Sequence, residues 1–135
     1  MFILNFATPD KKIVSEQELE EITLPAFAGE LNILPGHAPL LTTLEAGILR
    51  YRLKNGETAK YAIGQGYCQV SPEGVNVLAD TALLKTEVDV AAAQKQLKEN
   101  EARLANESLD EEAWAVTQGS ISRLKAELEL TNTNV

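Results

Sequence analysis

The sequence predicts an α+β fold, in which an N-terminal flattened β-sandwich of about eight to ten short strands is followed by a C-terminal antiparallel two-helix hairpin. Turn residues support the first part, because all five prolines and seven of the eight glycines lie in residues 1–85. Composition supports the second, because residues 86–135 hold only Gly119 and are rich in helix-favouring Ala, Glu, Leu, Lys and Gln. We therefore expect a β-sandwich domain at 1–85 and a helical domain at 86–135.

Short apolar or alternating runs recur between turn residues throughout the first domain, which is the pattern of a sandwich or flattened barrel. Each run is about the length of an ordinary strand. The predicted strands are residues 2–7, 19–24, 31–34, 40–44, 48–53, 59–63, 67–70 and 75–79.

The clearest unit is a hairpin formed by residues 48–53 and 59–63. Apolar and charged side chains alternate with a period of two along the first of these strands. The dipeptide Asn55-Gly56 between the strands suits the positive φ angles of a hairpin turn. The predicted inward-facing residues are Leu49, Tyr51 and Leu53, and the predicted outward-facing residues are Arg50 and Arg52.

Two capping-box patterns open the predicted helices, because a hydroxyl residue is followed three positions later by a carboxylate from Thr86 to Asp89 and from Ser108 to Glu111. Each helix carries a thin apolar stripe at steps of three and four, which is typical of two helices packed on one another. Because the stripes are narrow, we expect a hairpin that is held by on the order of a few kcal/mol and is able to open. The stripes are Val90, Ala93, Leu97 and Leu104, then Trp114, Thr117, Ile121, Leu124 and Leu128.

The charge balance excludes several classes of partner. Twelve Lys and Arg against twenty Asp and Glu give a formal net charge of −8 at pH 7, which disfavours nucleic acid and anionic lipid. No stretch approaches the ~20 apolar residues that span a bilayer, so we expect any membrane association to come through partner proteins. The single cysteine, Cys68, has no internal partner and indicates a reducing compartment.

Residue patterns for catalysis or cofactor binding are absent from the sequence. His37 is the only histidine, which leaves no catalytic triad and no Cys/His zinc pattern. Gly64-Gln65-Gly66 is too short for a dinucleotide loop and precedes a predicted strand, so we interpret it as a bend. We expect no enzyme activity, cofactor or metal ion in the isolated chain. An alternative class is a β-sandwich binding or adaptor module with a coiled-coil oligomerisation hairpin.

One segment, residues 29–42, combines two prolines and a histidine with flanking apolar residues. Such a loop is rigid, and rigid exposed loops on a sandwich commonly carry partner contacts. Its run Gly-Glu-Leu-Asn-Ile-Leu-Pro-Gly-His-Ala-Pro-Leu at 29–40 resembles the signature of the epsilon subunit family of F-type rotary, proton-translocating ATP synthases. Further matches lie around Gly47, at 66–70 and at 77–82, whereas Asn32 and Gln65 stand where the family has glycine.

The resemblance implies a non-catalytic rotor subunit of the central stalk. It implies that one face binds the γ subunit and that the lower loops rest on the ring of c subunits, coupling proton-driven rotation to γ and ATP synthesis. It also implies a peripheral position on the cytoplasmic face of the bacterial inner membrane. The residues that match the family's ring-docking positions are Glu30, Leu31, Pro35, Gly36, His37, Gly47 and Ile48.

The resemblance gives the hairpin a regulatory role, in which it restrains ATP hydrolysis by reaching the α/β catalytic head. The matching residues of the last helix are Trp114, Arg123 and Lys125. Some members also bind ATP through a motif that Val88-Asp89 begins, but Ala92 and Glu99 replace its two arginines here. We therefore expect the hairpin not to bind ATP with useful affinity, and the alternative is a different site formed by the remaining cations, Lys95, Lys98 and Arg103.

Overall fold

A computed structural model of the chain describes residues 2–132 and confirms strands followed by two helices. The strands are β1 (Ile3–Ala7), β2 (Lys12–Ala26), β3 (Gly29–Ile33), β4 (Leu40–Leu44), β5 (Gly47–Leu53), β6 (Thr58–Ile63), β7 (Gly66–Ser71), β8 (Gly74–Ala79) and β9 (Ala82–Leu83). A 3₁₀ turn at Lys85–Glu87 leads to α1 (Val90–Asn106) and α2 (Glu111–Thr131).

The strands form one continuous sheet folded into two layers. One layer has the order β1-β8-β7-β4, and the other has the order β3-β2-β5-β6-β9. Strand β2 joins them, because it pairs with β1 through its first half and with β3 and β5 through its second half. Strands β1 to β8 all contribute side chains to the core between the layers. There the rings of Phe6 and Tyr61 meet edge to face, with their centroids 5.2 Å apart.

Strand β2 is much longer than the predicted strand at 19–24. Residues 12–18 are mostly polar and show no apolar alternation, since Ile13 and Val14 are adjacent, yet they pair with β1 as an antiparallel ladder. Strand β9 was also not predicted, since two residues carry no periodicity; Ala82 pairs with Ile63 of β6. The first half of β2 and the short strand β9 both depend on backbone hydrogen bonds to distant strands. Such bonds leave little trace in the local side-chain pattern.

The predicted hairpin is present as β5 and β6. Leu49 and Tyr51 are buried and Leu53 is half-buried, while the two arginines point outward. Only Gly56 has a positive φ in the turn, at 92°, so Asn55 does not share the left-handed conformation. The Gly56 amide instead donates to the Leu53 carbonyl at 3.0 Å.

Both helices begin later than the capping boxes predict, and the predicted caps are wrong. Asp89 is the N-cap of α1, and its carboxylate accepts a hydrogen bond from the Ala92 amide at 3.0 Å. Asp110 caps α2 in the same way, accepting from the Ala113 amide at 2.8 Å. A carboxylate satisfies the first free amides and complements the helix dipole, so either aspartate serves as a cap at least as well as the hydroxyl residue before it.

Helix α2 has two contact faces, whereas the sequence predicted one. Thr117, Ile121 and Leu124 are buried as expected, but Trp114 at the upper end of the stripe is 51% exposed. A second face, carrying Ala126 and Leu130, packs against the sandwich. One fully buried leucine contributes about 1.5–3 kcal/mol before ordering costs, so the free energy that holds α2 on the sandwich is small.

None of the helices within residues 2–132 is long and apolar enough to cross a lipid bilayer.

Candidate docking surfaces

The first outer surface of the sandwich is a set of ion pairs on β2, β3 and β5. Arg50 donates to both carboxylate oxygens of Glu30, at 2.9 and 3.3 Å. The hydrogen bonds and charge of Arg50 hold the pKa of Glu30 below its ordinary value. Arg52 likewise bonds both Glu20 and Glu21. These carboxylates already have cationic partners, so this surface offers few unpaired charges to another protein.

Helix α2 covers a second surface, on the outer side of β5 and β6. Ala62 of β6 is buried beneath Ala126 and Leu130, and Ile48 of β5 packs against the same cluster. Val88, just before α1, joins from the side. This part of the sheet is therefore already occupied within the chain.

The third surface is the outer face of β1, β8, β7 and β4, and we call it the open face. Cross-strand pairing sets its residues in two rows: Ala7, Leu78, Tyr67 and Thr43 in one, and Asn5, Asn76, Gln69 and Leu41 in the other. None of these eight side chains is charged, although the chain carries a net charge of −8. Leu41 is 70% exposed and Tyr67 is 49% exposed, which is typical of a surface that another protein covers.

Phe27 continues the first row of the open face beyond Thr43. It lies in the turn between β2 and β3, and its amide donates to the Thr43 carbonyl at 3.2 Å. Its side chain is 74% exposed. Sequence reasoning missed Phe27, Leu41 and Tyr67 as functional residues. The alternation of β4 and β7 would have placed Leu41 and Tyr67 outward. It does not indicate which face of the sheet stays uncovered.

The loop between β3 and β4 is a defined turn rather than a loose connection. The His37 amide donates to the Leu34 carbonyl at 3.1 Å, and Gly36 has a φ of 87°. Proline at the second position and a left-handed glycine at the third are the pattern of a type II turn. The His37 ring bonds the Ala38 carbonyl through Nδ1 at 2.7 Å. The turn is thus held in one shape and is exposed at its tip.

The residues predicted to contact the c ring lie in separate parts of the fold. Glu30, Gly47 and Ile48 line one groove of about 350 Å³, together with Glu129 from α2. Gly47 packs closely on Pro25, since an added Cβ would lie 2.6 Å from the Pro25 Cβ. The remaining predicted residues are Pro35, Gly36 and His37 in the turn, and Leu31, which is half-buried against the core.

The predicted regulatory residues of α2 differ in how free they are. Arg123 donates to Glu127 at 2.7 Å, and the Glu127 side chain is only 8% exposed. Lys125 is exposed and forms no ion pair within residues 2–132. Trp114 presents half of its surface to solvent near the start of the helix. Only Lys125 of the two cations is therefore unpaired.

Three groups that could serve nucleotide or redox chemistry, Asp89, Arg103 and Cys68, are already bonded or buried. The Asp89 carboxylate is used as a helix cap, and Arg103 donates to Glu107 at 3.2 Å. Cys68 is fully buried, and burial raises the pKa of its thiol to about 12, which keeps the thiol protonated and unreactive. The described residues contain no cluster of three or more side chains suited to a metal ion.

A sandwich with an open uncharged face, a helix-covered face and an exposed rigid turn defines a subunit that acts through contacts with other proteins. The family model of the ATP synthase delta/epsilon chain β-sandwich domain matches residues 1–85. The chain belongs to this family.

Individual relatives give the same result. An ATP synthase epsilon chain from Bdellovibrio bacteriovorus is 49% identical over 127 residues, covering 93% of this chain and 91% of the relative. One from Geobacter sulfurreducens is 38% identical over 120 residues, covering 89% and 86%. A chain in the Euglena gracilis mitochondrial ATP synthase structure of OSCP, F1 and c ring is similar with a TM-score of 0.81 and 26% identity, covering 95% of this chain and 79% of that one. The chain is therefore a non-catalytic epsilon-type subunit that works with other ATP synthase subunits.

Proposed function

We propose that the chain is a rotor subunit that couples rotation of the c ring to γ and to ATP synthesis. The observation that carries this proposal is the open face, which is uncharged and partly apolar while α2 covers the outer side of β5 and β6. The γ subunit docks on the open face. The ion-pair surface, on the outer side of the opposite layer, takes no part in the γ contact, because its charges are already neutralised.

The second contact of the proposed function is with the c ring. The turn at Pro35, Gly36 and His37 and the groove at Glu30 and Gly47 rest on the polar loops of the ring. A turn that is fixed by a hydrogen bond and a proline loses little conformational entropy when it binds. Transmission of torque favours such a contact, because a flexible loop would yield under load.

The hairpin has a regulatory role in this proposal. Its docking on the sandwich depends on a small apolar cluster around Ala126 and Leu130, so it is able to leave the sandwich and rise along γ toward the catalytic α/β head. Through its partner subunits the chain lies at the cytoplasmic face of the energy-transducing membrane.

Copurification from membranes tests the proposal. The full-length chain carrying an affinity tag is expected to recover γ and the detergent-solubilised c ring. Tyr67→Asp on the open face is expected to lose γ, whereas Thr58→Asp, on β6 opposite Arg52 of the ion-pair surface, is not. Recovery of only the chain itself, as an oligomer, would favour an adaptor module instead.

Cross-linking tests the ring contact separately. Cysteines introduced at Glu30 or His37 are expected to form cross-links to the c subunit in assembled enzyme. A cysteine at Gln94, on the exposed side of α1, serves as the control. If neither of the first two forms a cross-link while assembly is normal, the ring-docking surface has been misassigned.

A further inference from the structure

We propose that the open face contains an anchor pocket that takes one large apolar side chain of the γ subunit. This inference rests on the proposed function and adds the chemistry by which the open face recognises its partner. Interfaces commonly concentrate their binding energy in a few side chains that fill pockets near the centre of the contact.

The pocket is a depression of about 310 Å³ on the open face. Its lining is mostly apolar and includes Phe6, Val77 and Leu78. Phe6 and Val77 belong to the buried core, so this lining is anchored in the rigid part of the sandwich. The amides of Gln69 and Asn76 stand at its rim.

A bulge in β2 forms one wall of the pocket. Between the pairs Leu4–Gln17 and Phe6–Val14, two residues of β2 oppose the single residue Asn5. One of them, Glu16, has a φ of 49°, and its amide donates to the Asn5 side-chain oxygen at 2.9 Å. Such a bulge bends the strand and increases its twist. The other extra residue, Ser15, faces the pocket.

The lining indicates what the pocket takes. Of the described residues around it, Lys12 alone is charged, so a charged ligand is not selected. The side-chain amides of Gln69 and Asn76 make no hydrogen bond within residues 2–132, and they are free to bond the backbone that flanks an inserted side chain. The volume is at the lower end of small-molecule sites, which span roughly 300–1,000 Å³ and enclose most of the ligand. An open depression of this size suits one side chain of a docked protein.

Titration of the full-length chain with purified γ subunit tests the pocket. Asn76→Phe fills the pocket from an exposed position, and Leu78→Ala removes part of the pocket lining. Each is expected to raise the Kd by about tenfold or more, as at an interface hot spot. Leu41→Ala truncates an apolar side chain on the same face outside the pocket and is expected to raise the Kd less. Thr58→Phe adds the same bulk as Asn76→Phe on the ion-pair surface and is expected to leave the Kd unchanged.

A photo-reactive phenylalanine analogue at position 41, across from Gln69 at the pocket rim, identifies the occupant without filling the pocket. It is expected to attach to a segment of γ that carries a large apolar residue, and attachment to a purely charged segment would overturn the proposed occupant. Circular dichroism shows whether the Leu78→Ala variant folds. If that variant does not fold, the Kd of the Asn76→Phe variant alone tests the pocket. Normal affinity in Asn76→Phe, with a strong loss in Leu41→Ala, would confirm the face and overturn the pocket. Failure of the unmodified chain to bind γ would instead contradict the proposed function.

Discussion

At Arg123 the structure places a guanidinium 2.7 Å from a carboxylate oxygen of Glu127, a residue that is almost fully enclosed. Arg123→Ala would leave that carboxylate buried without its cation. We expect the free energy of unfolding to fall by about 1–3 kcal/mol, the usual cost of an unsatisfied buried polar group. Urea denaturation measures this. Lys125→Ala, at an exposed and unpaired position, is the control and is expected to change stability by no more than about 0.5 kcal/mol. Equal effects of the two variants would contradict the assigned roles.

The same two cations bear on the proposed restraint of ATP hydrolysis by α2. Arg123 is neutralised by Glu127, and Lys125 is followed by Glu129. Exposed ion pairs contribute roughly 0–1 kcal/mol each, so we expect the Arg123→Ala, Lys125→Ala double variant to change the ATP hydrolysis rate of the assembled enzyme only a few-fold. Assays of hydrolysis in membranes check this. Strong inhibition in the unmodified enzyme that disappears in the double variant would show that charge, rather than steric blocking, drives inhibition.

At the scale of single elements, Gly119 lies in the middle of α2, where a glycine weakens a helix. An added Cβ would meet only the Gln65 side-chain nitrogen at 4.0 Å, which is ordinary contact. We therefore expect Gly119→Ala to raise the free energy of unfolding by about 0.5–1 kcal/mol. Gly66→Ala is the contrasting control, because its Cβ would lie 2.0 Å from the Leu78 carbonyl oxygen and must disrupt the β7–β8 pairing. A loss of stability in Gly119→Ala would mean that α2 needs flexibility at this point.

Helix α1 lacks the two arginines of the ATP-binding pattern that its opening resembles. Ala92 and Glu99 occupy the two arginine positions of the nucleotide-binding pattern, and Arg103 is paired with Glu107. Losing two charge-assisted hydrogen bonds weakens binding by roughly a hundredfold or more. We expect calorimetric titration with MgATP to show no saturable binding tighter than about a millimolar. The Ala92→Arg, Glu99→Arg double variant is the matched control and is expected to gain affinity. Tight one-to-one binding by the unmodified chain would reveal a different site.

At the scale of the whole molecule, the main hydrophobic core lies entirely before α1. Its buried residues run from Phe2 to Ala79, and the proposed docking surfaces also precede residue 84. We expect a truncation that ends at Leu84 to fold, to bind γ and to support coupled ATP synthesis, with Ile48 and Ala62 among the residues newly exposed. Thermal unfolding and reconstituted ATP synthesis measure this. Loss of γ binding by a folded truncation would show that the hairpin is part of the docking unit rather than a regulatory addition.

Local pattern was sufficient wherever an element carries its own signal. The β5–β6 hairpin was predictable because alternation and Asn55-Gly56 lie within 16 consecutive residues. The helix caps were not predictable, because each helix has two candidate N-caps and the sequence does not rank them. The candidates are Thr86 and Asp89 for α1, and Ser108 and Asp110 for α2. The turn at Pro35 and Gly36 was predicted as rigid because proline fixes its own φ, and the glycine after it is free to take the left-handed conformation that the turn requires.

The sequence by itself determined that the chain folds as strands and then helices, that it carries no catalytic group, and that its proline-rich turn resembles a ring-docking motif. These properties depend on composition and on spacing along a few consecutive residues. Only the tertiary structure decided that the mostly polar residues 12–18 extend β2, that α2 covers Ile48 and Ala62, and that the uncharged face of β7 and β8 is left open. The physical reason is that exposure depends on which distant element packs on a surface, and pairing between distant segments leaves no periodic trace in either one.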